Sequence, residues 1–554
     1  MKPWVIARSA DMVDPAERAF VEHIDGPAPD RLTYSSLLDK ADCEALDRRA
    51  YAEARTWYLR GESDPTVVDG VSLGQAFEYH ATIHFIRQYR AEVLLHRLLA
   101  DTKGAQVLLR GVGEEWAVAA RALGVAAVVE RPEVPPSLMA GTHAPVPIRS
   151  QRAMGRLAGW RRDRNARLVL VEGPNWAVPY HAALMRGTGT HLIGPGRRVL
   201  MAALRGRAHT DVAWLCDVEP ILGRDAAPDL PPDSARMAVE IAFGRVRPAL
   251  SAWASAGRRA VHGGAAGERG VAVATQDVLP PNRAFLLGMK AAGGKVVTIE
   301  HGISGIYVEQ VHSIADILAA WGEPQAEYHR GAGPQGLRVE AIGNQRLEAA
   351  VAAAGPGGSE PEGGQGGGAD GREGGPAWDL VFFGQPTGNL AAGDWPETHL
   401  RALRFVEEYA AGHPNRRVAV KLHPATKAYG FAIPPIDHAS LVNEDSIDLI
   451  RSSRVVAIVQ STTGLEAMAL GRPVMQIKTV GYVGHPDFVS LSGAGAVADT
   501  AADFTEQAER LLSSRADYDS ASESGRRYSR LFVTGLHEPG FAVARLNELV
   551  RSLM

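Results

Sequence analysis

The sequence predicts an α/β protein built from two Rossmann-like domains, and three observations carry that expectation. From about Gly104, short β-branched apolar runs alternate with helix-length amphipathic segments, the texture of right-handed βαβ units and parallel sheets. The stretch 355–376 breaks the alternation; half of its 22 residues are glycine, and the pattern resumes beyond it. At 554 residues the chain also exceeds what one hydrophobic core ordinarily serves.

Taken in order, residues 1–103 read as a helical extension. Helix-period apolar residues run over Tyr34–Leu59 (Leu37, Leu38, Leu46, Tyr51, Trp57) and over Gln75–Leu99 (Phe77, Ile83, Phe85, Ile86, Leu94). A first Rossmann-like domain is expected over 104–350. Its strands are predicted at Gln106–Arg110, Ala126–Glu130, Arg167–Glu172, His191–Gly194, Val271–Ala274, Lys295–Ile299, Ile317–Trp321 and Leu337–Ile342. Helices are predicted at Glu114–Leu123, within Pro174–Arg186, and at Asp233–Ala256 and Pro280–Ala292. Residues 351–377 are too rich in Gly and too poor in apolar side chains to order themselves, and read as a flexible linker. A second Rossmann-like domain follows over 378–554, with strands at Leu380–Phe383, Arg417–Leu422, Val455–Val459 and Val474–Ile477. Its helices are expected at Glu397–Ala411, Ile447–Arg451 and Leu465–Leu470, and amphipathic helices at Asp503–Ser514 and Ala542–Leu553 close the chain.

Composition excludes several classes. A net charge of −4 supplies no basic field for bulk nucleic-acid binding. Cys43 and Cys216, the two cysteines, make neither a disulfide framework nor a zinc cluster, which suits a reducing cytoplasm. MKPWVIARSADMVD lacks the apolar core of a signal peptide, and no run approaches a membrane span. Any membrane contact is expected to be peripheral.

In parallel sheets ligands gather at the carboxyl ends of strands. Strand Arg167–Val171 runs into Glu172-Gly173-Pro174-Asn175, and Val271–Ala274 into Thr275-Gln276-Asp277. Lys295–Ile299 ends in Glu300-His301-Gly302, and VAVKLHP carries Lys421, His423 and Pro424 at its end. The run VVAIVQSTTGLEAMALGRPVM, residues 455–475, then feeds Ser461, Thr462 and Thr463 into a helix with Glu466 in its first turn. Unpaired first-turn N–H groups and the helix dipole favour an anion there. The same hydroxyls are also ordinary N-caps.

KLHP, STTGLEAMALGRPV and TIEHG together resemble the GT-B-fold glycosyltransferases of bacterial surface and capsular polysaccharides. Within them the similarity is to the CMP-sugar-dependent Kdo- and sialyl-type transferases. The resemblance spans roughly residues 270–480, with VEAIGNQR matching the end of the first domain. It implies two Rossmann-like domains facing a cleft. His423 and Pro424 would face the cytidine nucleotide; Ser461, Thr462 and Thr463 would hold its phosphate, and Glu466 would lie on the ribose or base side. Lys421 and Arg472 add positive charge nearby or are solvated surface residues. The acidic pair followed by glycine that sialyltransferases carry in their first domain is absent as such. Glu172, Asp277, Glu300 and His301 therefore stand as alternative general bases, with His423 assisting departure of the phosphate.

Neither metal nor cofactor is expected. The partners implied are a nucleotide-sugar donor and a glycan or glycolipid acceptor, with no nucleic acid. Work in the cytoplasm, in peripheral contact with the inner membrane or polysaccharide assembly proteins, is implied by the resemblance. Three alternatives stay open: a UDP-sugar 2-epimerase, a glycerol-phosphate transferase using CDP-glycerol, and a non-catalytic scaffold subunit of a polysaccharide assembly complex.

Overall fold

The structure, a computed structural model, describes residues 3–23, 31–100, 106–131, 168–171, 190–193, 234–261, 270–275, 277–302, 313–354, 377–384, 396–423, 433, 435–478 and 488–554. They form two compact units. The first takes Glu44–Gln345 with Phe541–Met554, the second Lys2–Cys43 with Arg346–Gly540. The expected helix within Pro174–Arg186 and the linker core at 355–376 lie outside the described residues, as do Glu172, Cys216 and Pro424.

The chain opens with β1 (Trp4–Ser9) and β2 (Arg18–His23), a parallel pair belonging to the second unit. This differs from the expectation of a wholly helical extension. WVIA and AFV are short β-branched runs of strand length, buried in the fold, and the helical periodicity begins only after them. Then come α1 (Tyr34–Leu37), α2 (Lys40–Ala54) and a small hairpin, β3 (Val67–Val68) with β4 (Val71–Ser72). The hairpin leads into α3 (Leu73–Leu99), where the Ser72 side chain accepts the N–H of Gln75 at 3.0 Å as an N-cap. A parallel βαβ unit follows: β5 (Gln106–Arg110), α4 (Glu114–Ala122) and β6 (Ala126–Arg131).

The first large sheet uses β7 (Leu168–Val171), β8 (Thr190–Ile193), β9 (Val271–Ala274), β10 (Lys295–Ile299), β11 (Ile317–Ala320) and β12 (Arg338–Ala341). Its order is β12-β11-β10-β9-β7-β8, parallel throughout. The helices between its strands are α5 (Ala235–Val261), α6 (Pro280–Ala291) and α7 (Glu323–Ala332), and α8 (Gln345–Ala354) follows β12. VAVA and ILAA are buried at every position, as a sheet covered on both faces requires. Helices α5 and α6 touch backbone to backbone: a Cβ on Gly257 would lie 1.9 Å from the Phe285 carbonyl oxygen, and one on Gly288 2.0 Å from that of Ala254. Arg283 of α6 donates to Glu78 of α3 at 2.8 Å, and Glu78 also accepts the Tyr58 hydroxyl at 2.9 Å. That buried pair fastens the two helices through hydrogen bonds that offset its desolvation.

In the second unit β13 (Trp378–Phe383), α9 (Pro396–Gly412), β14 (Val418–Lys421), β15 (Ser440–Leu441) and α10 (Ser446–Arg451) come first. They are followed by β16 (Ser453–Ile458), α11 (Thr463–Ala469), β17 (Val474–Ile477), α12 (Phe488–Ser492), β18 (Gly495–Ala498), α13 (Ala501–Ser513) and α14 (Arg515–Phe532). The sheet order is β15-β14-β13-β16-β17-β18, again parallel. Numbered from β13, this is the doubly wound order 3-2-1-4-5-6. The fold is thus α/β with two Rossmann-like sheets, and no helix among the described residues is long and apolar enough to cross a membrane.

The last helix, α15 (Phe541–Leu553), corrects the expected boundary, since 541–554 belong to the first unit. Ala542, Leu546, Leu549 and Val550 form one apolar stripe, and it packs on Val271, Val297, Ile299 and Ile317 of the first sheet. An amphipathic face dictates that a helix must be covered, not which sheet covers it. Leu546→Ala is expected to destabilise the protein by about 2–5 kcal/mol, and Gly288→Ala by about 1–3 kcal/mol through forced separation of α5 and α6. Urea denaturation of the full chain measures both; an unchanged midpoint for Leu546→Ala would contradict the packing of α15.

Candidate functional site

In a doubly wound sheet the neighbouring strands whose connections run in opposite directions leave a crevice at their carboxyl ends. In the second unit these strands are β13 and β16. Gly384 leaves β13, with its N–H donating to the Lys421 carbonyl at 2.9 Å, so the ends of β13 and β14 are tied together. Lys421 closes β14; its ammonium donates to the Glu444 carbonyl, and burial lowers its pKa. Two residues on, His423 keeps an exposed side chain. Its pKa is lowered by desolvation first, then by His399 and Lys421, so the imidazole is neutral at pH 7. His399, in the first turn of α9, is buried.

Beyond β16 the hydroxyl turn closes on itself. Thr463 N–H donates to Ser461 Oγ at 3.2 Å, and Ser461 Oγ–H donates to Thr463 Oγ1 at 3.0 Å. Gly464 N–H donates to the Ser461 carbonyl and Leu465 N–H to the Thr462 carbonyl, each at 2.9 Å. The expectation of unpaired first-turn N–H groups is therefore corrected: these donors are used within the turn. What remains is side-chain chemistry. Because Thr463 Oγ1 accepts from Ser461, its own hydroxyl proton points elsewhere. Ser461, Thr462 and Thr463 are all half-buried.

Glu466, in the first turn of α11, has a side chain 13% exposed. Arg346 Nε stands 4.0 Å from its Oε1, and Arg346 Nη2 stands 3.5 Å from Asp445 Oδ1. Burial raises the Glu466 pKa; Arg346 opposes this, Asp445 adds to it and Lys421 opposes it more weakly. The second unit thus brings Lys421, His423, Ser461, Thr462, Thr463 and Glu466 to one sheet edge. Arg346, His399 and Asp445 join them although sequence reasoning missed all three. Arg346 sits in GNQR, and only the fold reveals that its guanidinium comes near Glu466 of α11. Arg472 does not belong: it follows the opposite end of α11, donating to the Arg451 carbonyl at 2.9 Å and the Tyr518 hydroxyl at 3.2 Å.

The candidate bases of the first unit divide differently. Asp277 is buried, and its Oδ2 accepts Ser313 Oγ–H at 2.6 Å and Ile314 N–H at 2.8 Å. Glu300 is buried too; Oε2 accepts Trp321 N–H at 2.7 Å, and Oε1 meets His329 Nε2 at 3.1 Å. Carboxylates with those partners hold chain segments together, and neither presents a free oxygen edge to solvent. His301 is exposed at the end of β10. Glu172 lies outside the described residues.

No protein-family model matches the chain, and no curated protein matches it in sequence. Among solved structures it is similar to the UDP-GlcNAc 2-epimerase of Neisseria meningitidis bound to UDP-GlcNAc, at 11% identity and TM-score 0.42, over 70% of this chain and 99% of that one. A Thermobaculum terrenum O-GlcNAc transferase mutant gives 14% identity and TM-score 0.35 over 92% and 98% of the two chains. The wall teichoic acid polymerase TagF gives 11% and 0.38 over 72% and 93%. Likenesses this distant carry no argument about activity.

A raised Glu466 pKa means that the folded state favours the protonated acid. Stability from this group is then greatest below its unfolded pKa, about 4.5, and is lost as pH rises through the folded value. Glu466→Gln removes that loss, so the variant's stability relative to the parent should increase between pH 4 and pH 7. Denaturant titrations at both pH values check it; a variant weakened more at pH 7 than at pH 4 would mean that Arg346 holds the carboxylate charged.

Proposed function

We propose that the chain is a nucleotide-sugar-dependent glycosyltransferase whose donor nucleotide binds at the carboxyl edge of the second unit's sheet. One observation carries it: the crevice strands β13 and β16 converge with β14 on neutral hydroxyls, a neutral imidazole, a buried carboxylate and two cations. Thr463, whose hydroxyl proton the turn leaves unused, donates to the phosphate, with Ser461 and Thr462 beside it in the same turn and Lys421 and Arg346 balancing its charge. His423 donates a hydrogen bond to the departing phosphate oxygen, where negative charge grows in the transition state. Glu466 accepts from the ribose hydroxyls. Pro424 shapes the exit of the chain beside the nucleotide, as the resemblance implies. On the acceptor side His301 is the base this proposal retains, because its side chain is exposed while Asp277 and Glu300 are committed to the fold.

The finer assignment, a CMP-sugar such as CMP-Kdo or CMP-sialic acid passed to a bacterial surface glycan in the cytoplasm, rests on KLHP and STTGLEAMALGRPV. A single-phosphate donor asks for no metal, and the sheet edge offers cations of its own.

A thermal-shift panel of CMP, CDP, UDP and GDP tests the donor class. A nucleotide at about 100 times its Kd stabilises by about 2.7 kcal/mol, and CMP is expected to give the largest shift. A preference for UDP or GDP overturns the CMP assignment. Release of CMP from CMP-sugar only when a glycan acceptor is present is expected, and His423→Ala should lower that turnover by about 10²-fold or more. Interconversion of UDP-GlcNAc without acceptor would make the protein an epimerase instead.

A further inference from the structure

Away from that sheet edge, the first unit gathers polar side chains that its own fold leaves unsatisfied. His80, His84 and Arg87 follow each other along α3 at i, i+4 and i+7, which puts them on one face of the helix. Helices α4 and α5 pack against α3. Arg245 of α5 lies close enough to His84 and to Glu114 for its charge to bear on both. Glu114 opens α4 directly after β5, through a turn in which Gly111 takes φ 68°. Glu114 thus stands just past the carboxyl end of the parallel strand β5, the kind of place where α/β folds take their ligands.

Buried polar atoms are ordinarily paired, and those that are not call for a cause. His80 Nδ1 and Arg87 Nε are buried without a hydrogen-bond partner. Neither Arg87 nor Arg245 makes an ion pair among the described residues. His80, His84, Arg87 and Arg245 are half-buried, and Glu114 is exposed. Burial and the adjacent Glu115 push the Glu114 pKa up, and Arg245 opposes them. Burial and Arg87 lower the pKa of His80 to about 4; burial, Arg87, His80 and Arg245 lower that of His84 to about 3. Both imidazoles are thus neutral at pH 7, and each ring offers one N–H donor. Buried nitrogens left without a partner beside two guanidiniums are satisfied by the oxygens of an anion.

We propose that the cluster of His80, His84, Arg87, Arg245 and Glu114 binds the phosphate or carboxylate group of a small-molecule substrate. Arg87 and Arg245 meet the anionic oxygens, the imidazoles donate beside them, and the exposed Glu114 engages hydroxyls of the same molecule. The proposal stands on the first unit alone and does not require a nucleotide in the second.

Isothermal titration of the full-length protein with glucose 6-phosphate, glucuronate and glucose separates the possibilities. One of the two anions should bind and glucose should not; which anion binds decides between phosphate and carboxylate. Arg87→Met and Arg245→Met keep the aliphatic stems and should each weaken that binding by about tenfold or more, the loss typical of one charge-assisted contact. CMP binding, measured alongside, should be unchanged in both variants, which also shows that they fold. Equal affinity of parent and variants, or no binding of either anion, overturns the proposal. A parent that binds an anion here but no nucleotide would defeat the transferase reading and leave this one standing.

Discussion

A parallel sheet is covered on both faces and delivers all its strand ends to the same edge, and the organisation of both units follows from this constraint. Val455–Ile458 has no exposed surface because helices lie on either side of it. The polar residues that function requires are therefore pushed to where the strands stop. Gln476 shows how firmly that edge is held. Completely buried in β17, it donates Nε2–H to the Val459 carbonyl at 3.2 Å, fixing the chain just before the Ser461 turn. The order 3-2-1-4-5-6 then does what packing alone would not: it parts the connections at β13 and β16, so the polar edge becomes a crevice.

The fold was legible wherever one signal was strong and local. Val271–Ala274, Lys295–Ile299 and Val474–Ile477 are strands with the very bounds that their apolar runs predict. Residues whose position depends on a distant partner were not legible. The stripe of α15 calls for an apolar surface, and both sheets offer one. WVIA at the start has strand composition, but its pairing is with β2 across residues of no regular pattern. His399 and Arg346 reach the site through the order of strands and the path of α8, neither of which leaves a trace in residue spacing.

The hydroxyl turn illustrates a different limit. Ser461-Thr462-Thr463-Gly464 was readable as a cap or as an anion site, because both use the same residue types. The geometry spends the backbone donors and the Ser461 hydroxyl proton within the turn and leaves the Thr463 hydroxyl proton to point outward. Competition between local side-chain bonds and external partners is settled by angles of a few backbone residues, which composition does not encode.

How well a buried group is satisfied separates anchors from sites in this molecule. Asp277 and Glu300 look like catalytic carboxylates at strand ends, yet each is buried with two polar partners within 3.1 Å and ties a neighbouring segment down. Glu466 is nearly as buried and makes no such bonds among the described residues; its partner is a guanidinium at 4.0 Å, and burial lifts its pKa. A group left in that condition costs stability, and a fold retains it where a ligand removes the cost. Applied to the first unit, the same criterion passes over the acidic residues at the ends of β9 and β10. It stops instead at α3, where one helix face carries His80, His84 and Arg87 and leaves His80 Nδ1 and Arg87 Nε buried without a partner.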